Sequence, residues 1–185
     1  ESTVSGTYGI TASGTVTDSI TGELDIEGVT TISASGQHVT LDHTASDFTG
    51  EVKITGADVA VTDVNGIVLG ESTVSGTYGI TASGTVTDEG TLLITGATTI
   101  SAIGQHVTLN EPANNFVGAV GITGANVAVT DVGAIVLGPS TVSGTYGITA
   151  GDAITNTGTL DITGITTISA SDKNVSLNYE FNNFK

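Results

Sequence analysis

Ser2 to Asp18, STVSGTYGITASGTVTD, decides how this chain folds, because it does not occur only once. With Glu1 in front it returns letter for letter as Glu71–Asp88, and its first eleven residues return again as Ser140–Ala150. The copies begin at Glu1, Glu71 and Pro139, almost evenly spaced. A fixed period is the signature of a repeat array and settles the architecture before any local reading does. The units are 1–70, 71–138 and 139–185. The third stops short of a full period, which predicts one continuous solenoid that is a segment of a longer array.

From unit 2 into the start of unit 3, nine short runs rich in β-branched residues are separated by Gly, Asn or Asp. They are Tyr78–Ala82, Thr85–Thr87, Leu92–Thr95, Thr99–Ala102, His106–Leu109, Val120–Thr123, Val127–Thr130, Ile135–Leu137 and Thr141–Ser143. Ile80 to Ile100 and Val129 to Ile148 each span about 20 residues, the length of one coil. Three sets of three runs at this spacing, with alternating inward and polar positions, predict an all-β, right-handed parallel β-helix. Each coil has three short strands, each repeat three coils, and the chain about eight coils. Corner glycines such as Gly6, Gly76 and Gly144 are expected to supply positive φ or close backbone approach.

One coil in three carries about eight further residues: Leu41–Phe48, Leu109–Phe116 and Leu177–Phe184. Recurrence at one azimuth predicts a ridge along the rod. Its candidate ligand contacts are Asp47, Phe48, Asn110, Asn114, Asn115, Phe116, Asn182, Asn183 and Phe184. The plainer account has the Phe covering the coil wall while Asn and Asp make the turn. Unit 1 also carries two extra residues within Ser19–Asp25, read as a turn extension.

Composition narrows the function. Of 185 residues 26 are Gly; Cys, Met, Trp and Arg are absent. Net charge is −16, and only Lys53, Lys173 and Lys185 are positive. Nucleic acid or an anionic membrane surface needs a basic face, so neither is expected as a partner. No apolar run approaches the roughly 20 residues of a spanning helix, so membrane insertion is not expected.

The strings Gly158–Gly164, Asn114–Val120 and Asn126–Asp131 are similar to the repeats of filamentous-haemagglutinin-like exoproteins. These are very large surface or secreted proteins of Gram-negative bacteria, many exported by two-partner secretion. The resemblance covers the whole chain as a likeness of repeat style; the secretion domain that marks export has no counterpart here. It implies an extracellular shaft serving adhesion, aggregation or reach. The expected partners are neighbouring repeats of the same chain, or identical subunits stacked end to end. Host or cell-surface glycans are the alternative ligand.

Catalysis is not expected. Lyases built on this fold resemble one another in using Ca²⁺ carboxylates with a basic proton abstractor, usually Arg, and this chain has no Arg. The nearest carboxylate pairs, Glu23 with Asp25 and Asp88 with Glu89, do not recur in all units. His38 and His106 recur in Gly-Gln-His, but unit 3 has Asn174 there and no ligand set forms around them. No cofactor is implied. Ca²⁺ is favoured only by the charge, and Asp63 and Asp131, in Val-Thr-Asp-Val, read instead as residues that close their own turns. Thr-Val-Thr at 15–17 and 85–87 becomes Ala-Ile-Thr at 153–155, which ends any ice-matching rank of that motif.

Overall fold

A computed structural model describes residues 2–18 and 21–185, so Ser19 and Ile20 of the expected turn extension lie outside the described residues. Among the described residues there is no helix, and every strand pairing is parallel. The strands form nine coils of three, numbered β1 to β27 in chain order, one coil more than the spacing predicted.

The first coil is Ser2–Val4, Tyr8–Thr11 and Val16–Thr17; the second is Leu24–Ile26, Thr30–Ser33 and Val39–Leu41. The third is Asp47–Phe48, Val52–Gly56 and Val59–Asp63; the fourth is Ile67–Leu69, Ser72–Val74 and Tyr78–Ala82. The fifth is Val86–Asp88, Leu92–Ile94 and Thr98–Ser101; the sixth is Val107–Leu109, Asn115–Phe116 and Ala119–Gly124. The seventh is Val127–Asp131, Ile135–Leu137 and Ser140–Val142; the eighth is Tyr146–Ala150, Ile154–Asn156 and Leu160–Ile162. The ninth is Thr166–Ala170, Val175–Ser176 and Asn183–Phe184.

Side chains alternate between core and surface, as in β9, where Val59, Val61 and Asp63 are buried between half-exposed neighbours. Stacking puts like over like. Ile10, Ile32 and Ile54 form one internal column; Val61, Ile80, Ile100 and Ile122 form another. No single coil can enclose these side chains; the stack encloses them with complete backbone ladders. Tyr78 and Tyr146 also point inward, buried, and burial pushes the Tyr146 phenol up to about 12.

The repeat does not close on itself after three coils. β8 carries two strands at once: Val52 pairs with Leu69 of β10, while Thr55 and Gly56 pair with Thr73 and Val74 of β11. Between these pairings the upper chain is longer than the lower by one position, which falls within Gly70–Ser72. Meanwhile the wall β1–β4–β7 ends: the Phe48 N–H donates to Asp63 Oδ2 at 2.9 Å and the Val64 N–H to the Ser46 carbonyl at 2.8 Å.

One repeat later the event recurs on the next wall. β18, which stands on β15 and thereby on β12 and β9, bears both β20 and β21, and the wall β11–β14–β17 ends under Asp131. A repeat is therefore ten strands, three coils and one strand over. Each repeat is turned by one wall relative to the last.

Candidate functional site

This turn corrects the predicted ridge. The inserts precede β7, β17 and β27, which lie on three successive walls, so they follow a spiral and do not share one azimuth. The further residues are also not an excursion. They contain a strand, Asn115–Phe116 in unit 2, that pairs with Leu93 and Ile94 beneath it.

Most of the insert is spent on joining coils. Asn114 is fully buried: its Oδ1 accepts the Leu92 N–H at 2.8 Å and its Nδ2 donates to Asp88 Oδ2 at 2.5 Å. Asp88, itself buried, also accepts the N–H groups of Asn110 at 2.9 Å and Glu111 at 3.3 Å. In unit 1 the same places hold Asp18, which accepts the His43 N–H, and Ser46, whose Oγ accepts the Leu24 N–H. In unit 3 they hold Asn156 and Asn182, joined at 3.0 Å, with Asn182 Oδ1 accepting the Leu160 N–H. Phe48 and Phe116 fill the core with no exposure, while Phe184 is 45% exposed on the uncovered last coil. Asp47, Asn110, Asn115 and Asn183 reach the surface in whole or part; Asp47 accepts from Asn65 Nδ2, and Asn183 donates to Asp161.

Asp63 and Asp131 close their own turns, with Oδ1 accepting the N–H two residues on, Asn65 or Gly133, at 2.6 Å in each case. The other oxygen of each binds the coil below, at Phe48 or Phe116. Burial is the largest influence on Asp63 and pushes its carboxyl up to about 6, against the pull of the two backbone donors; Asp131 moves in the same direction. His38 Nδ1 lies 3.1 Å from Asp58 Oδ2, and His106 Nδ1 3.0 Å from Asn126 Nδ2. Asp58 and Asn126 in turn accept from both the N–H and the hydroxyl of Thr77 and Thr145. The backbone donor of Thr77 is the first cause that holds the Asp58 carboxyl below its ordinary range.

Sequence reasoning missed Asp58, Asn126, Asp88, Asn156 and Ser46 as coil-to-coil ties. The signal was their recurrence one repeat apart, masked because the residue type changes between Asp, Asn and Ser. The carboxylates considered for catalysis separate: Asp88 is buried in its network and Glu89 is exposed. Asp25 lies outward beside Asp47 on the neighbouring strand. Among the described residues no three His, Asp or Glu side chains gather as a metal-holding group.

The walls carry a different pattern outward. Thr62, Thr81, Ser101, Thr123 and Thr141 stand one above another in register, a rank of hydroxyls that the Thr-Val-Thr motif did not reveal. Beside it runs a rank of Ala60, Gly79, Thr99 and Gly121.

Comparison with curated proteins and with solved structures finds no match. A family model does match, three times in succession, over residues 1–55, 56–123 and 124–185. The middle match is as long as the repeat that turns the solenoid by one wall. The chain belongs to the family of repeats of unknown function (DUF5649).

Proposed function

We propose that this chain is a length of non-catalytic shaft in an exported bacterial surface protein, of the filamentous-haemagglutinin-like kind, that holds a binding region away from the cell. One observation carries the reading. The polar side chains that recur from repeat to repeat, Asp63 and Asp131, Asp88 and Asn114, Asp58 and Asn126, tie one coil to the next. A rod built so serves length and stiffness. Antibody raised against the chain should label intact source cells; labelling that appears only after the cells are opened overturns the extracellular placement.

A second reading, carbohydrate binding, is favoured by the hydroxyl rank from Thr62 to Thr141, a stretch of wall with no charged outward side chain. It requires retention of the chain on a glycan surface, and loss of that retention when Thr81 and Thr123 are replaced by Val.

A further inference from the structure

Asn65-Gly66 is the one place in the chain where Asn precedes Gly. The pairing has a chemistry of its own. An Asn carboxamide carbon lies within reach of the next backbone nitrogen, and a following Gly sets no Cβ beside that path. The two residues make the corner between β9 and β10, directly after Asp63 has closed the β1–β4–β7 wall. At the same corner of unit 2 the chain reads Gly133-Ala134, so unit 1 holds a reactive pair where unit 2 holds none.

The groups such a reaction needs are free here and engaged elsewhere. Asn65 is exposed, and its carboxamide is held by a surface bond, Nδ2 donating to Asp47 Oδ2 at 2.9 Å. Its own N–H donates to Asp63 Oδ1 at 2.6 Å and its carbonyl accepts the Gly84 N–H at 2.7 Å. The Gly66 N–H, which must give up its proton, donates to no acceptor among the described residues. Asn114 and Asn156 are buried, and Asn126 is held through both Oδ1 and Nδ2. Every Asn other than Asn65 precedes a residue that carries a side chain.

The step balances without oxidant or reductant. The Gly66 nitrogen, its proton lost to solvent base, bonds to Asn65 Cγ; the Cγ–Nδ2 bond breaks and Nδ2 leaves as ammonia. Water then opens the cyclic imide at one of its two carbonyls, giving aspartate or the isoaspartyl isomer whose backbone runs through Cγ. Both products exchange a hydrogen bond for repulsion. The new carboxylate stands against Asp47, which already faces Asp25 on the neighbouring strand. The isomer also adds one methylene to the main chain at a corner with no slack, where a Cβ on Gly84 would stand 2.6 Å from the Gly66 nitrogen. This corner leads into β10, whose register on β8 turns the repeat.

We propose that Asn65 is a site of covalent self-modification in the folded rod, deamidating through the Gly66 nitrogen and thereby weakening the joint between the third and fourth coils. The inference stands apart from the shaft reading, since it holds whatever the rod carries. The folded chain is kept in mildly alkaline buffer and sampled over time by peptide mass mapping. Isoaspartate is counted by enzymatic methyl transfer to its free carboxyl. Asn65 should convert on the order of tenfold faster than any other Asn, because the following Gly places no Cβ in the path. Asn65→Gly, the residue unit 2 carries at this corner, should keep the fold and lose the signal. Asn65→Asp, equivalent to the normal product, should melt below the unaltered chain, and Asp47→Asn in that background should restore the loss. Three results overturn the proposal: conversion spread evenly over several Asn, an intact Asn65 after a free Val-Asn-Gly peptide has fully converted beside it, or an Asn65→Asp chain as stable as the unaltered one.

Discussion

Asp63 binds its own turn with one carboxylate oxygen and the coil below with the other, and it does so almost out of reach of water. Its folded-state proton affinity is raised, from 3.8 to about 6. A group of this kind contributes most below the unfolded value and loses that contribution as pH rises through the folded one. The melting temperature should therefore climb as the buffer goes from pH 7 towards 5. Relief of the −16 net charge acts in the same direction, so the Asp63→Asn variant, which should show a shallower climb, separates the two. A fall in stability over that range contradicts the assignment.

Asn114 is a second test at this scale. Replacing it with Ala leaves the Leu92 N–H without its acceptor and removes one donor from Asp88, a cost of about 1–3 kcal/mol for each buried group left unpaired. Its neighbour Asn115 points outward, and Asn115→Ala should cost less than about 0.5 kcal/mol. Urea unfolding of the two variants reads the difference directly.

At the scale of the strand and its corner, glycines stand in short columns: Gly6, Gly28 and Gly50, then Gly76, Gly96 and Gly118, then Gly144 and Gly164. A Cβ on Gly96 or Gly118 would strike the carbonyl of the glycine one coil below. This close approach, and not positive φ, is what the corners require; left-handed glycines are Gly36 and Gly104, at a different turn. Gly6 itself meets nothing, because it lies on the uncovered first coil. Gly118→Ala should destabilise by about 1–3 kcal/mol, the usual cost of overpacking, whereas Gly14→Ala, with open space around it, should be nearly silent in the same unfolding assay.

These elements show what was legible. Strand type, coil length and the Ile columns follow from β-branched runs that recur once per coil, and all nine runs between Tyr78 and Ser143 match observed strands to within one residue at each end. The tenth strand was missed. Asn115–Phe116 has two residues, one of them polar, and it follows a turn rich in Asn and Pro, so no period-2 pattern can mark it. Without it the spacing stacks Ile100 beneath Val129, when its true neighbour is Ile122. The single omission turned a spiral into a ridge. The candidate site suffered for a related reason: Asn114, offered as a ridge contact, is a buried tie between coils, while Phe116 fills the core, nearer to the plainer account in which the Phe covers the coil wall.

At the scale of the molecule, nine coils at about 4.8 Å each give a rod on the order of 40 Å, and each three-coil repeat adds about 14 Å. A chain carrying one more copy of residues 71–138 should lengthen by about that amount in small-angle scattering with no change in cross-section. Acidic groups sit mainly at corners and turns while the walls are largely neutral and hydroxylated, an arrangement that keeps a long rod soluble without setting like charges face to face across the ladders. Asp25 beside Asp47 in unit 1 is the exception.

The central claim is that each repeat is turned by one wall, through the branching of β8 into β10 and β11. Cross-strand nuclear Overhauser contacts in the isotopically labelled chain test it most directly, and Lys53 and Glu51 distinguish this segment from its copy in unit 2. The account predicts backbone contacts between Val52 and Leu69 and between Thr55 and Thr73. Contacts that instead place Phe48 beneath Leu69 and Val52 beneath Thr73 would mean that the repeat closes on its own wall, and would contradict it.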